Sequence, residues 1–322
     1  MRIRLTRLLA GALFVLALLV VLAVAAIEIR SRRTFDAPFP AIAASKDPAV
    51  IARGRYIAYS TAACAYCHVP RDRWSSLDKA EMPLSGNHVF PLPFGELISP
   101  NITPDDETGI GRRTDGELAR ILRYGVRADG RAAFPFMAFQ DMSDEDLTAV
   151  ISFLRSQTPV RQAVPTHRLS LLGKVLMAFA IVPLGPTAPP PSVSPVGPSV
   201  ARGEYLATRV SSCAECHTDR DPQNGQFVGP KFGGGQRMDL AADSTKVAVP
   251  PNLTPDPRTS PIGLWSEDVF VGRFRMGETL AGTPMPWGAY ARMTEDDLRS
   301  IFRYLRTLPP HEHDTGPRMQ QK

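Results

Sequence analysis

Two five-residue stretches hold the reactive side chains of this 322-residue chain: CAYCH at Cys64 to His68 and CAECH at Cys213 to His217. All four cysteines fall in them, and each pair closes on a histidine. With thiols at i and i+3 and imidazole at i+4, one helical turn presents all three groups on one face. Such a face suits a flat ligand. Two thiols can bond a porphyrin edge while the adjacent imidazole ligates the iron, which is the attachment pattern of c-type haem. Cys64, Cys67 and His68 would hold one haem, and Cys213, Cys216 and His217 a second. A zinc site is the competing use of these side chains, but it would have to join pairs from two distant parts of the chain and leave both histidines idle. A thioredoxin-type dithiol would need a βαβ setting that the neighbouring residues do not offer.

The elements that must position these groups are written twice. ARGRYIA around Gly54 is answered by ARGEYLA around Gly203, SPNITPDDETGIG from Ser99 by PPNLTPDPRTSPIG from Pro250, and MSDEDLTAVISFLRS from Met142 by MTEDDLRSIFRYLRT from Met293. Order and spacing are kept, so the chain is a tandem duplication. Each unit reads as mostly helical. A helix should begin after Asp47-Pro48 in the first copy and near Pro198-Ser199 in the second. The closing helices carry capping-box patterns, Ser143 with Asp146 and Thr294 with Asp297. Apolar positions such as Leu147, Val150, Ile151 and Leu154 follow at helical spacing and are core positions.

Outside the repeats, residues 8–27 form an uncharged run of twenty apolar or small residues, long enough to span a bilayer as an anchor. The segment AVA at Ala23 to Ala25 leaves a cleaved signal as the alternative. The first 33 residues hold six arginines and one glutamate, which accounts for the whole net charge of +5. The rest is neutral overall, and charge gives no reason to expect a nucleic-acid partner. Because haem is attached to such motifs outside the bacterial cytoplasmic membrane, both repeats are expected in the periplasm, on a single-pass protein of the inner membrane. A second apolar stretch, Leu169 to Pro186, is shorter and contains Lys174; a crossing there would separate the two motifs. It reads as a short buried or surface-packed helix, with contact to a membrane surface as a secondary reading. The expected divisions are an anchor at 1–33, domains at 47–160 and 199–310, a connection at 161–198 ending in a proline-rich linker, and a polar, frayed tail at 311–322.

These residues together resemble membrane-anchored dihaem cytochromes c, built of two tandem class I cytochrome c domains behind one transmembrane helix. The PN(I/L)TPD segment and the closing helix are similar to the cytochrome subunits of bacterial periplasmic alcohol and sugar-acid dehydrogenases, which often carry three haem domains where this chain has two. The resemblance implies a close crossing of first and last helices at Gly54 with Phe153 and at Gly203 with Tyr304. It also implies that the Pro100 carbonyl orients His68 and the Pro251 carbonyl orients His217, as bonds behind a ligand do. Asn101 and Asn252 would then bond the haem edge or propionates, or simply shape a turn.

Distal methionine ligands are the remaining expectation. Met285, followed by proline as in the family, is assigned to the second haem. In the first repeat Phe134 stands at the position equivalent to Met285, counted from Met142 and Met293. The Gly-to-Met loop GVRADGRAAFPFMAF instead lands on Met137, followed by Ala138 where the family has proline. Met142 is the alternative, although it and Met293 read as core. Four histidines, His88, His167, His311 and His313, are expected to be solvated, with His88 a minor candidate ligand. The chain thus reads as an electron carrier with two covalently attached haem c groups, each His/Met ligated. Its redox partners would be a dehydrogenase or quinol-oxidising enzyme and a terminal acceptor. Rival readings are a haem enzyme, such as a dihaem peroxidase or thiosulfate-oxidising cytochrome, and a dedicated subunit of a dehydrogenase complex.

Overall fold

The computed structural model describes residues 2–77, 80–137, 139–221, 225–240 and 243–322. Helix α1 (Arg2–Arg30) contains the 25-residue span Thr6–Arg30. At about 1.5 Å per residue it is about 38 Å long, against about 30 Å of bilayer hydrocarbon. Its most apolar window is wholly unburied, and it is the one helix among the described residues long and apolar enough to cross a membrane.

The first repeat opens with α2 (Pro48–Tyr56), whose N-terminus is capped by the Asp47 carboxylate accepting from the Ala49 N–H. A five-residue π-helical turn, Ile57–Thr61, follows and leads into α3 (Cys64–His68). Then come a 3-10 turn at Arg71–Arg73, α4 (Trp74–Leu77), strands β1 (Val89–Leu92) and β2 (Gly95–Ile98), α5 (Asp115–Tyr124), α6 (Asp144–Ser156), β3 (Arg168–Leu169) and α7 (Leu171–Phe179). The second repeat retraces this path. It has α8 (Val200–Tyr205), a π-helical turn at Leu206–Val210, α9 (Ala214–His217), β4 (Met238–Leu240), β5 (Asp243–Ala248), α10 (Glu267–Arg275), α11 (Trp287–Tyr290), α12 (Glu295–Leu305) and β6 (Met319–Gln321).

The opening and closing helices of each repeat cross where glycine is required. A Cβ on Gly54 would stand 1.8 Å from the Ala149 carbonyl oxygen and 2.8 Å from Phe153 Cβ; on Gly203 the corresponding values are 1.8 Å to Ser300 O and 2.9 Å to Tyr304 Cβ. No side chain fits at either point, so backbone packs on backbone. Around the crossings lie the buried Leu147, Ile151, Leu298 and Ile301 of α6 and α12.

The mostly helical expectation holds with additions, and some finer expectations are corrected. The mostly helical chain also forms two three-stranded antiparallel sheets, ordered β1-β2-β3 and β4-β5-β6. Their strands are two to six residues long, too short for an alternating pattern to register, and β1 contains Pro91. The tail is not frayed: β6 pairs with β5, and the His313 ring Nδ1–H donates to the Gly233 carbonyl at 2.9 Å. The capping boxes form only in their forward half. Ser143 and Thr294 accept from the N–H groups of Asp146 and Asp297, while those two carboxylates turn elsewhere. The reciprocal pair is made instead by Thr114 and Glu117 at the start of α5.

The carboxylates turn toward the partner repeat. Tyr56 of α2 donates to Asp297 of α12 at 2.7 Å and accepts from the Thr294 N–H at 3.0 Å. Tyr205 of α8 donates to Asp146 of α6 at 2.7 Å and accepts from the Ser143 N–H at 3.0 Å. Within each repeat the same carboxylates meet Arg53 at 2.6 Å and Arg202 at 2.8 Å. Ser194, in the proline-rich linker, accepts from both arginines. The contact between repeats is therefore reciprocal, the same surface used from both sides. The linker is held along it: Pro191 and Ser192 carbonyls accept from the N–H groups of Asp144 and Glu145.

Candidate cofactor sites

Each motif is delivered by the same local sequence of strains. The π-helical turn widens the end of the opening helix, and the residue before the first cysteine adopts the left-handed region, Ala63 at φ 50° and Ser212 at φ 49°. Turning the backbone at that residue starts a fresh helical turn on Cys64 and on Cys213. Neither residue is a glycine, so nothing in the residue types marks the turn. All four thiols are free of disulfide bonds. Burial pushes Cys64 and Cys213 up to about 12 and Cys67 up to about 11, which keeps them as thiols before attachment.

Both histidines are buried and held at one nitrogen. The Nδ1–H of His68 donates to the Pro100 carbonyl at 2.9 Å, and that of His217 to the Pro251 carbonyl at 3.0 Å. The bond fixes the tautomer and leaves Nε2 bare as a ligand. Burial lowers the pKa of both rings, His217 to about 4, so each is neutral at physiological pH. Behind each carbonyl stands a glycine that sequence reading misses. Gly86 (φ 75°) and Gly234 (φ 72°) donate their N–H groups to the carbonyls of His68 and His217 at 2.8 Å, and a Cβ on either would strike the Pro100 or Pro251 backbone within 2.8 Å.

Asn101 and Asn252 are buried beside these prolines with their amides fully engaged by protein groups. Asn101 donates to Thr108 Oγ1 (3.1 Å) and the Val160 carbonyl (2.8 Å) and accepts from Thr103; Asn252 donates to Thr259 Oγ1 (3.1 Å) and the His311 carbonyl (2.7 Å) and accepts from Thr254. What they position is the loop that offers the proline carbonyl, and they tie it to the irregular segment leaving each closing helix.

Of the methionines, Met142 and Met293 are buried core residues at 1% and 2% exposure. Met285 is half-buried against the second repeat's core, directly before α11. Met137 is half-buried and lines a cavity with Ile121, Ala133, Phe134, Pro135 and Glu215. Ala138 lies outside the described residues. Buried Arg123 grips the segment after Met137, donating to the carbonyls of Gln140 (2.9 Å) and Met142 and to Asp144; Arg275 does the same for Ala291 and Met293. Sequence alone marks neither arginine, because an arginine on a helix reads as a solvated one.

His88 is not solvated: it is 3% exposed, its ring 5.2 Å from that of Trp74 and 4.3 Å from that of Phe90, and its Nδ1 has no partner among the described residues. His167 accepts from the Ile98 N–H at 3.1 Å through its Nδ1. His311 and His313 are docked on the second repeat, their backbone N–H groups donating to Thr254 and Thr259.

The second repeat also packs on the turn that leads to the first motif. Helix α11 packs on the π-helical turn of the first repeat, and Arg292 just beyond it donates to the Leu77 carbonyl. The buried Tyr290 hydroxyl donates to the Ser211 carbonyl at 3.1 Å. Its pKa is raised far above the ordinary value, by burial first and then by the neighbouring cysteines.

No family model matches the chain. Among curated proteins it is 32% identical to a nicotinate dehydrogenase subunit of Pseudomonas putida over 81% of this chain and 21% of that protein. It is 31% identical to the cytochrome c subunit of the quinone-dependent alcohol dehydrogenase of Gluconacetobacter polyoxogenes, over 82% of this chain and 57% of that subunit. A dihaem c-type cytochrome of Cereibacter sphaeroides is 26% identical over 77% of this chain and 83% of its own length. The homologues are c-type cytochromes of dihaem and dehydrogenase-subunit kind. They imply covalently bound haem c, and the donor sets fit it: two unpaired thiols and a histidine with bare Nε2 in one helical turn, twice. The chain spans about half, or less, of the length of the first two of these relatives.

Proposed function

We propose that this chain is a membrane-anchored dihaem cytochrome c that passes single electrons, with two cytochrome c domains facing each other across the Tyr56 and Tyr205 contacts. The observation that carries the reading is the pair of attachment turns, each with its histidine fixed by a proline carbonyl, in two repeats joined by reciprocal tyrosine–carboxylate bonds. When bound, haem c supplies reversible one-electron chemistry at iron. The chain's own part is to hold the proximal imidazoles neutral and oriented, to offer Met137 and Met285 as distal ligands, and to keep the two sites in fixed register.

On this reading the domains are residues 47–160 and 199–310, each completed by the strand that follows, and the first 33 residues are the anchor. Helix α1 then sits in the inner membrane, with the repeats in the periplasm. The alcohol and fructose dehydrogenase cytochrome subunits among the relatives support a dehydrogenase as electron donor. A terminal acceptor would take the electrons onward. The test is on purified holoprotein. It should take up two electrons per chain in a redox titration, show no peroxide turnover, and bind cyanide slowly when fully oxidised. Rapid cyanide binding or peroxidase activity would replace the carrier reading with a haem enzyme.

A further inference from the structure

The apolar stretch after the first repeat is not buried in the protein. Helix α7 has its N-cap on Ser170 and packs through Gly173, where a Cβ would lie 2.4 Å from the Phe94 carbonyl, and through fully buried Ala178. Its other face is open. Leu171 and Leu172 are each 53% exposed and Phe179 60%, and Val182 and Leu184 just beyond are also exposed.

What stands beside this face is the end of α1. Glu28 pairs with Lys174 at 2.7 Å, Arg30 donates to the Ala178 carbonyl at 3.1 Å and lies 5.0 Å from the Phe179 ring centre, and Arg33 donates to the Ile181 carbonyl at 2.9 Å. The strap from α1 to α2 is also docked. Phe35 pairs with Gly130, and Arg120 donates to the carbonyls of Phe35 and Ala37. The first repeat is therefore fastened to the point where a bilayer-spanning helix emerges.

We propose that α7 and residues 180–184 form a second membrane contact, lying in the lipid headgroup region with Leu171, Leu172, Phe179, Val182 and Leu184 turned into the acyl boundary. Three features point to lipid as the occupant. The exposed face is continuous with the emerging end of α1, so it stands at headgroup depth. Arg30 and Arg33 reach the backbone of this segment with no acidic partner among the described residues, while Lys174 and Arg32 share Glu28, so the edge of the face carries a net positive charge, as acidic headgroups favour. The helix, at nine residues, is too short to cross and is of the amphipathic kind that lies in the plane. The consequence is that the first repeat is seated on the membrane at one orientation. The proposal rests on α1 being a retained anchor.

The test uses the full chain carrying both haems, in vesicles of phosphatidylethanolamine and phosphatidylglycerol. Single cysteines at Leu172→Cys and Phe179→Cys carry a nitrobenzoxadiazole fluorophore, as do Leu264→Cys on the second repeat, where Leu264 is 81% exposed, and Val20→Cys in α1. Labels at 172 and 179 should be quenched several-fold more by shallow doxyl-lipids than the label at 264, and several-fold less by aqueous iodide. Labels at 172 and 179 quenched by iodide as strongly as at 264, with the label at 20 still quenched by deep doxyl-lipids, would overturn the proposal and leave the anchor standing. If addition of a dehydrogenase, rather than lipid, were what shielded 172 and 179 from iodide, the face would belong to a protein partner and the proposal would fail. A mature chain lacking residue 20 would overturn the anchor reading and this one with it.

Discussion

Tyr56 and Asp297 lie 241 residues apart and share a hydrogen bond of 2.7 Å, and Tyr205 makes the same bond to Asp146 in the opposite direction. Each phenol also accepts from a backbone N–H at the cap of the partner's closing helix, so the first turn of α12 is fastened to α2 and that of α6 to α8. These are largely buried bonds to a charged acceptor, worth more than the usual ~1 kcal/mol.

Removing one of them should loosen the contact between repeats without touching either attachment turn. Tyr56→Phe is expected to cost about 1–3 kcal/mol in urea unfolding, with haem content unchanged. A variant as stable as the parent would mean that the two bonds contribute nothing to holding the repeats together.

The same phenol makes stability sensitive to alkali. Burial, and then the Asp297 charge, push the Tyr56 pKa up to about 12 from an ordinary value of 10. The unfolded chain therefore loses this proton first, and unfolding becomes easier as pH rises. The contribution is intact below about pH 10 and declines toward pH 12, by on the order of 2–3 kcal/mol. Unfolding midpoints of the parent should fall over that window more steeply than those of Tyr56→Phe; parallel curves would show that Tyr56 is not the titrating group.

At the helix crossings there is no room for one more atom. Gly54→Ala and Gly203→Ala each place a methyl within 1.8 Å of a carbonyl oxygen, so the helices must part. A loss of about 3 kcal/mol or more is expected, seen as reduced melting temperature and reduced yield of haem-loaded protein. Gly272→Ala, where a Cβ meets nothing within 4 Å, is the control and should change little.

Both pairs of cysteines should be consumed by haem. Intact mass of the acid-extracted holoprotein is expected to show two haem additions and no free thiol. Cys64→Ala with Cys67→Ala should leave one covalent haem, and Cys213→Ala with Cys216→Ala should leave the other. A chain carrying fewer than two in the parent would refute the assignment of the motifs.

Distal ligation can be read from the weak near-infrared absorption of sulfur-ligated ferric haem. Met137→Ala and Met285→Ala should each remove about half of it, and the double variant all of it. Met142→Ala should instead destabilise by roughly 2–5 kcal/mol as a core truncation while leaving the band in place. The opposite pattern would move the first distal ligand from the loop to the head of α6.

How much of this is legible in the sequence follows the range of the interactions. The attachment turns, the duplication and the helix starts at Asp47 and Ser199 are local patterns or direct repeats, and they are readable; the glycine crossings join distant helices and are expected only through the family resemblance. The short strands are not, because their pairing joins segments far apart, such as Gly95 with Leu169, and no single segment carries a pattern of its own. His88 reads as a loop histidine, since nothing local announces that Trp74 and Phe90 close over it. Asp146 and Asp297 match a capping box and are drawn away by a stronger long-range partner, an arginine and a buried phenol. Gly86, Gly234, Arg123 and Arg275 are invisible to local reading for the same reason: each acts on the backbone of another segment.

The reciprocal contact has a historical consequence. A surface that answers itself under a two-fold rotation is what a homodimer possesses, so an ancestral chain with one haem could have paired with its own copy through this same tyrosine and carboxylate before any duplication. The linker that joins the halves runs along this seam and offers Ser194 to both arginines. Once joined, the halves no longer needed to stay identical. They now differ beyond the seam: proline follows Met285 where alanine follows Met137, and the first repeat is fastened to the end of α1.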